Sequence, residues 1–182
     1  MALAYSKGMA LGTPAPPFSL SGIDGQTHSL ESFADSEVLV VVFTCNHCPY
    51  AKAVESRLVE LQRDYQDRGV ALVAINPNDA VAYPDDSMEA MKVRAEQRGF
   101  NFPYLRDDSQ EVARAYDAAC TPDIFVFDGD RRLAYNGRLD DNWKEPAAVQ
   151  RQDLRLVLDA LLAGKSHDFE AVPSMGCSIK WS

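Results

Sequence analysis

Thr44-Cys45-Asn46-His47-Cys48-Pro49 is the stretch whose reading decides this chain. Before it runs Val38-Leu39-Val40-Val41-Val42-Phe43, apolar at every position. After it, Ala51, Val54, Leu58, Leu61 and Tyr65 recur at steps of three and four. The spacing predicts a strand buried on both faces, a sharp turn carrying two thiols, then an amphipathic helix. A C-x-x-C pair at that junction places Cys45 at the helix N-terminus, exposed, where unpaired N–H groups and the helix dipole favour a thiolate. Cys48 is expected one turn further in, close enough to close a disulfide. That is a reversible dithiol, and it requires both sulfurs to be reachable from solvent.

Composition narrows the classes. A chain of 182 residues with 46% apolar content builds a core without staples. It reads as one domain over residues 1–182, with additions at 12–36 and 165–182. The net charge of −9 gives no electrostatic footprint for nucleic acid or an anionic membrane. No apolar run reaches the length of a membrane span, and no basic segment leads into an apolar core at the start. The expected compartment is a reducing cytoplasm, where four cysteines read as reactive or buried thiols rather than a disulfide framework.

Working outward, Asp24-Gly25 between short segments predicts a hairpin turn, and Val70–Ile75 a second buried strand after Gly69. Strand, helix, strand gives a parallel βαβ unit. Asp86 and Ser87 open a helix ending at Gly99, with Asp86 as its cap and Glu89 as the capping-box acid. Phe102-Pro103-Tyr104-Leu105 predicts an edge strand, because proline cannot donate to a ladder. A helix over Ser109–Ala119 follows, then a hairpin of Ile124–Phe127 and Leu133–Tyr135, and a last helix around Leu154–Leu162. The stretch 165–182 has no period.

The order β-α-β-α-β-β-α, with C-x-x-C at the first helix and Thr121-Pro122 before the hairpin, resembles the thioredoxin fold. Five segments narrow the resemblance: Phe43–Tyr50, Ala74–Asp79, Tyr83–Asp86, Cys120–Asp123 and Gly176–Trp181. They are similar to peroxiredoxin-like proteins of the alkyl hydroperoxide reductase/thiol-specific antioxidant type in bacteria. The resemblance implies an α/β fold, a central mixed sheet flanked by helices, with an N-terminal hairpin extension and a C-terminal tail. It also implies that Pro122 is the cis-proline of the fold, with Thr121 backbone groups free to pair with an extended substrate.

Each candidate residue has two readings. Cys45 is the expected nucleophile and Cys48 the resolving thiol. His47 either tunes the Cys45 pKa as a nearby cation or is solvated. Cys120 is a third redox thiol or a small buried side chain, and Cys177 a resolving thiol or a packed tail residue. The acidic pairs Asp85-Asp86, Asp107-Asp108 and Asp140-Asp141 read as caps or loop residues. No metal site is read, since spacing offers only the two thiols and His47, and no cofactor is called for.

The expected function is a thiol–disulfide oxidoreductase acting on protein or small-molecule disulfides and recharged by an upstream thiol reductant. The alternatives are an antioxidant thiol peroxidase with Cys48 as the peroxidatic thiol, and a non-enzymatic metal carrier or redox sensor. Peroxiredoxins place a peroxide-polarising Arg where this chain has Pro122, and Arg138 is the candidate substitute.

Overall fold

The computed structural model describes residues 2–182. Its centre is β4 (Val38–Phe43), six residues of which none is more than 2% exposed. Period-two alternation splits the strand between two layers. Val38, Val40 and Val42 face helices α1 (Pro49–Tyr65), α2 (Met88–Arg98) and α4 (Asp153–Leu162). Leu39, Val41 and Phe43 face Phe18, Phe33 and the short helix α3 (Glu111–Ala115). Each such side chain contributes about 1.5–3 kcal/mol of burial, so the strand is the anchor of both layers.

Beside β4, β5 (Val70–Asn76) runs parallel and β8 (Asp123–Phe127) antiparallel. β5 continues to β6 (Tyr104–Arg106) in parallel, and β8 to β9 (Leu133–Asn136) in a hairpin. The N-terminal hairpin of β2 (Ser19–Gly22) and β3 (Thr27–Ser29) joins β6, giving the order β3-β2-β6-β5-β4-β8-β9. This is the mixed sheet of the expected thioredoxin fold. β6 is not an edge: Pro103 stands just before it, and β2 pairs on its other side.

A second sheet is built from β1 (Leu3–Tyr5), β10 (Met175–Ser178) and β7 (Cys120–Thr121), in the order β1-β10-β7. The aperiodic tail therefore contains a strand, and residues before the hairpin form another. Hydropathy missed both because each is only three or four residues long.

Three further expectations change. The α2 cap is Ser87, whose hydroxyl accepts from Ala90 N at 3.2 Å, and not Asp86. α3 stops at Ala115 because Asp117 turns left-handed at φ 51°. α1 begins at Pro49, with Cys48 as N-cap in an extended conformation (φ −72°, ψ 125°). A residue before proline is pushed out of the helical region, so Pro49 sets the helix start after both cysteines.

Candidate active site

The site forms where β4 ends and α1 begins. Thr44 still pairs with the sheet, its N–H donating to Ile75 O at 2.9 Å. Cys45 lies in the bend that follows and Cys48 caps the helix, so the two thiols straddle the turn rather than sharing the first helical turn. Both are free thiols. Neither reaches solvent: Cys45 is 1% exposed and Cys48 0%. This corrects the expected exposed Cys45 nucleophile. Strand β10 covers the pair, and Cys177 packs with Cys45, Cys48 and Ala51 in one cluster.

The two thiols are shifted in opposite directions. Cys48 is lowered to about 5, first by the hydrogen bond from the Cys45 thiol. The Cys177 thiol and the N–H groups of Ala51 and Cys177 add to this, against the cost of burial. Cys45 is raised well above the usual thiol range, because it donates to Cys48, is buried, and faces the charge of Asp86. The Thr121 hydroxyl, 3.3 Å from Cys45 Sγ, opposes that rise in part. When protonated, Cys48 donates instead to Thr121 O at 3.3 Å. Position contributes as well: as N-cap, Cys48 meets the Ala51 N–H of the first turn.

Asp86 is the residue that sequence reading misplaced. It is 0% exposed. Oδ1 accepts from Asn46 N at 2.7 Å and Asn76 Nδ2 at 3.1 Å. Oδ2 meets His47 Nδ1 at 2.5 Å and accepts from Asn78 Nδ2 at 3.0 Å. His47 is not solvated: its ring stacks on Tyr83, with centroids 5.3 Å apart. The Asp86 charge that His47 faces raises the Cys45 pKa. The signal was present in Asn76-Pro77-Asn78 and Tyr83-Pro84-Asp85-Asp86, whose Asn and Asp side chains converge only in three dimensions.

The Thr121–Pro122 bond is cis. The backbone beside it is not free, contrary to expectation, because Thr121 pairs with Cys177 and Cys120 with Ser178. Cys120 is buried, its thiol directed at Pro122 O (3.5 Å) and Ser174 O (3.8 Å), and burial first, then Asp123, pushes its pKa up. Next to Pro122 an apolar cleft of about 220 Å³ opens between Tyr5, Val54, Trp143, Val172 and Met175. Arg57 holds its rim in place, donating to Asp140 Oδ2 at 2.7 Å and to the carbonyls of Asn142 and Trp143. Trp143 in turn packs on Tyr50, ring centroids 4.2 Å apart. Arg138 lines the cleft too, but its guanidinium is bound to Asp153 at 2.8 Å.

Among the described residues, one group of side chains could hold a metal: Cys45, His47 and Asp86, with ligand atoms within 4.8 Å of one another. The fit is poor. Both Asp86 oxygens are already engaged by four partners, and a closed zinc site takes four ligands.

Comparison with known proteins places the chain. A protein from Geobacillus kaustophilus, described as an uncharacterized conserved protein, has a crystal structure with TM-score 0.95 and 47% identity, covering 100% of this chain and 97% of that one. A hypothetical protein from Sinorhizobium meliloti 1021 follows at TM-score 0.92 and 42% identity, covering 98% of each chain. Thiol-disulfide oxidoreductase ResA of Geobacillus thermodenitrificans is 30% identical over 120 residues, 66% of this chain. That alignment spans only 64% of the ResA sequence. The family model described as AhpC/TSA matches residues 11–136. This span runs from before the N-terminal hairpin, through the dithiol turn, to the end of β9, and the chain belongs to the AhpC/TSA family.

Proposed function

We propose that the chain is a thiol–disulfide oxidoreductase whose Cys45 and Cys48 cycle between dithiol and disulfide. The observation that carries this reading is two free thiols packed in one cluster at a helix N-terminus, Cys48 as its N-cap and Cys45 just before it. Cys48 is the attacking sulfur. When the β10 cover opens locally and admits a substrate, the Cys48 thiolate displaces one thiol of its disulfide and forms a mixed disulfide. Cys45 then loses its proton, attacks Cys48 Sγ and releases the second substrate thiol. The His47–Asp86 pair lies within 4.8 Å of the Cys45 sulfur and takes that proton. An upstream thiol reductant returns the disulfide to the dithiol, in the reducing cytoplasm.

A redox titration with mass-spectrometric mapping tests the reading. The expected product is a Cys45–Cys48 disulfide that forms and disappears with the applied potential. If the two never pair, the reading fails.

A thiol peroxidase is the second reading. It is favoured by Cys48 as an N-cap thiolate in a site closed to large molecules. Against it, Arg138, which lines the cleft beside Pro122, is already paired with Asp153. Stoichiometric oxidation of Cys48 by peroxide in a Cys45→Ser variant supports this reading, and an inert Cys48 excludes it.

A further inference from the structure

Strand β10 lies where an extended substrate would pair. Its Cys177 stands opposite Thr121, the residue before the cis Pro122, in antiparallel register. The approach is close: a Cβ on Gly176 would fall 2.0 Å from Thr121 O. Only glycine lets the strand lie there. From that position Cys177 packs against Cys45, Cys48 and Ala51 in one buried cluster.

The strand is also firmly held. Ile179 is buried in the apolar core. Lys180 N donates to Asn78 Oδ1 at 2.9 Å, and Lys180 O accepts from Asp79 N at 2.8 Å and Gln110 Nε2 at 2.9 Å. On its outer side Cys177 is screened by β1, a three-residue strand whose Leu3 and Tyr5 are about half exposed. Removing β1 therefore uncovers Cys177 while β10 still covers Cys48.

We propose that β10 is a built-in exchange strand: Cys177 holds the place of a substrate cysteine, forms a disulfide with Cys48, and carries the oxidising equivalents of the sealed pair to an outside dithiol. This rests on the dithiol reading of Cys45 and Cys48 and adds a third sulfur to it. The step is an isomerisation. The Cys177 sulfur attacks Cys48 Sγ, the Cys45–Cys48 bond breaks as the Cys48–Cys177 bond forms, and the proton leaving Cys177 ends on Cys45. No electrons leave the protein. The upstream dithiol reductant then attacks Cys177, frees Cys48 as a thiolate, and closes its own disulfide to release Cys177 as a thiol. Cys120, with its thiol aimed at two carbonyls, takes no part.

The test uses the full chain with Cys45→Ser and with Cys45→Ser/Cys177→Ser, each equilibrated with oxidised glutathione and mapped by mass spectrometry. The expected product of the single variant is an intramolecular Cys48–Cys177 disulfide. In the double variant, Cys48 is expected to remain as a mixed disulfide with glutathione. A single variant that keeps Cys48 free, keeps it glutathionylated, or pairs it with Cys120 overturns the proposal. Cys177→Ala alone supplies a second measurement. Its Cys45–Cys48 disulfide should still form, but reduction by dithiothreitol should slow by about tenfold, since attack then waits for local opening. An unchanged rate refutes the relay. A Cys45–Cys48 disulfide in the unmodified protein with no Cys48–Cys177 bond in the single variant defeats this proposal alone. The reverse pattern defeats the dithiol reading and the relay with it.

Discussion

The two sheets of this molecule are built on opposite terms. The seven-stranded sheet is a hydrophobic scaffold, its central strand sealed between two apolar layers. The three-stranded sheet lies outside both of those apolar clusters, and two of its three strands carry a cysteine, Cys120 and Cys177. Its stability comes from backbone pairing at very close range and from the tail anchors beyond it. A protein can thus keep a robust fold while leaving the cover of its reactive thiols cheaper to disturb. The difference predicts that substitutions in one sheet change stability and those in the other change chemistry.

The largest effect should come where the sheets are tied together. Asp86 links the dithiol turn to Asn76 at the end of β5 and to Asn78, which also receives Lys180 N from the tail. Asp86→Ala strands these buried donors and should cost about 3–5 kcal/mol. Thermal unfolding should register this as a fall in Tm on the order of 10 °C, together with loss of the low Cys48 pKa.

Next, Leu39→Ala in β4 should cost about 2–5 kcal/mol by leaving a cavity, while the alkylation rate of Cys48 in the folded protein stays near that of the unmodified chain. Gly176→Ala should do the opposite. Its methyl group collides with Thr121 backbone atoms, and an overpacking cost of about 1–3 kcal/mol falls on the cover alone. Iodoacetamide labelling of Cys48 should rise on the order of 5- to 30-fold. Equal labelling in the two variants would erase the proposed division between the sheets.

A smaller effect concerns pH. Cys48 is depressed from 9.0 to about 5. A depressed acid adds stability that is complete above its unfolded value and lost as pH falls through the folded one. The Tm advantage of the unmodified chain over Cys48→Ser should therefore grow from pH 5 to pH 9. Asp123, raised to about 6 chiefly by burial, acts in the other sense, losing its contribution as pH rises through about 6. It is common to both proteins and cancels in the difference. Smallest of all, Lys7→Ala removes an exposed pair with Asp117 beside β1 and should leave both Tm and Cys48 labelling unchanged. A rise in labelling would mean that the cover depends on surface charge rather than on strand pairing.

Much of the scaffold was legible because hydropathy reports it directly. Val38–Phe43 and Val70–Ile75 read as buried strands, and the stripe from Ala51 to Tyr65 as a helix. The candidate site was legible only in its residue types. Cys45, Cys48, His47 and Thr121 are legible, yet the burial of both thiols is not. Local pattern cannot say that Pro49 delays the helix until after Cys48, or that Asp86 comes from 41 residues further along to face Cys45. Strand β10 carried no hydropathic signal, because a four-residue strand containing Gly176 depends on its neighbours and not on its own propensity.

By itself, then, the amino-acid order determined the layered α/β scaffold and the presence of two thiols beside a helix start. Both follow from short-range periodicity and turn chemistry, which a chain carries wherever it is placed. Only the tertiary structure decided that both thiols are buried, which carboxylate stands behind the histidine, and that a late strand closes over the pair. Those outcomes depend on burial and on contacts across more than seventy positions of separation, where electrostatic strength is set by what excludes water and not by what is adjacent in the chain.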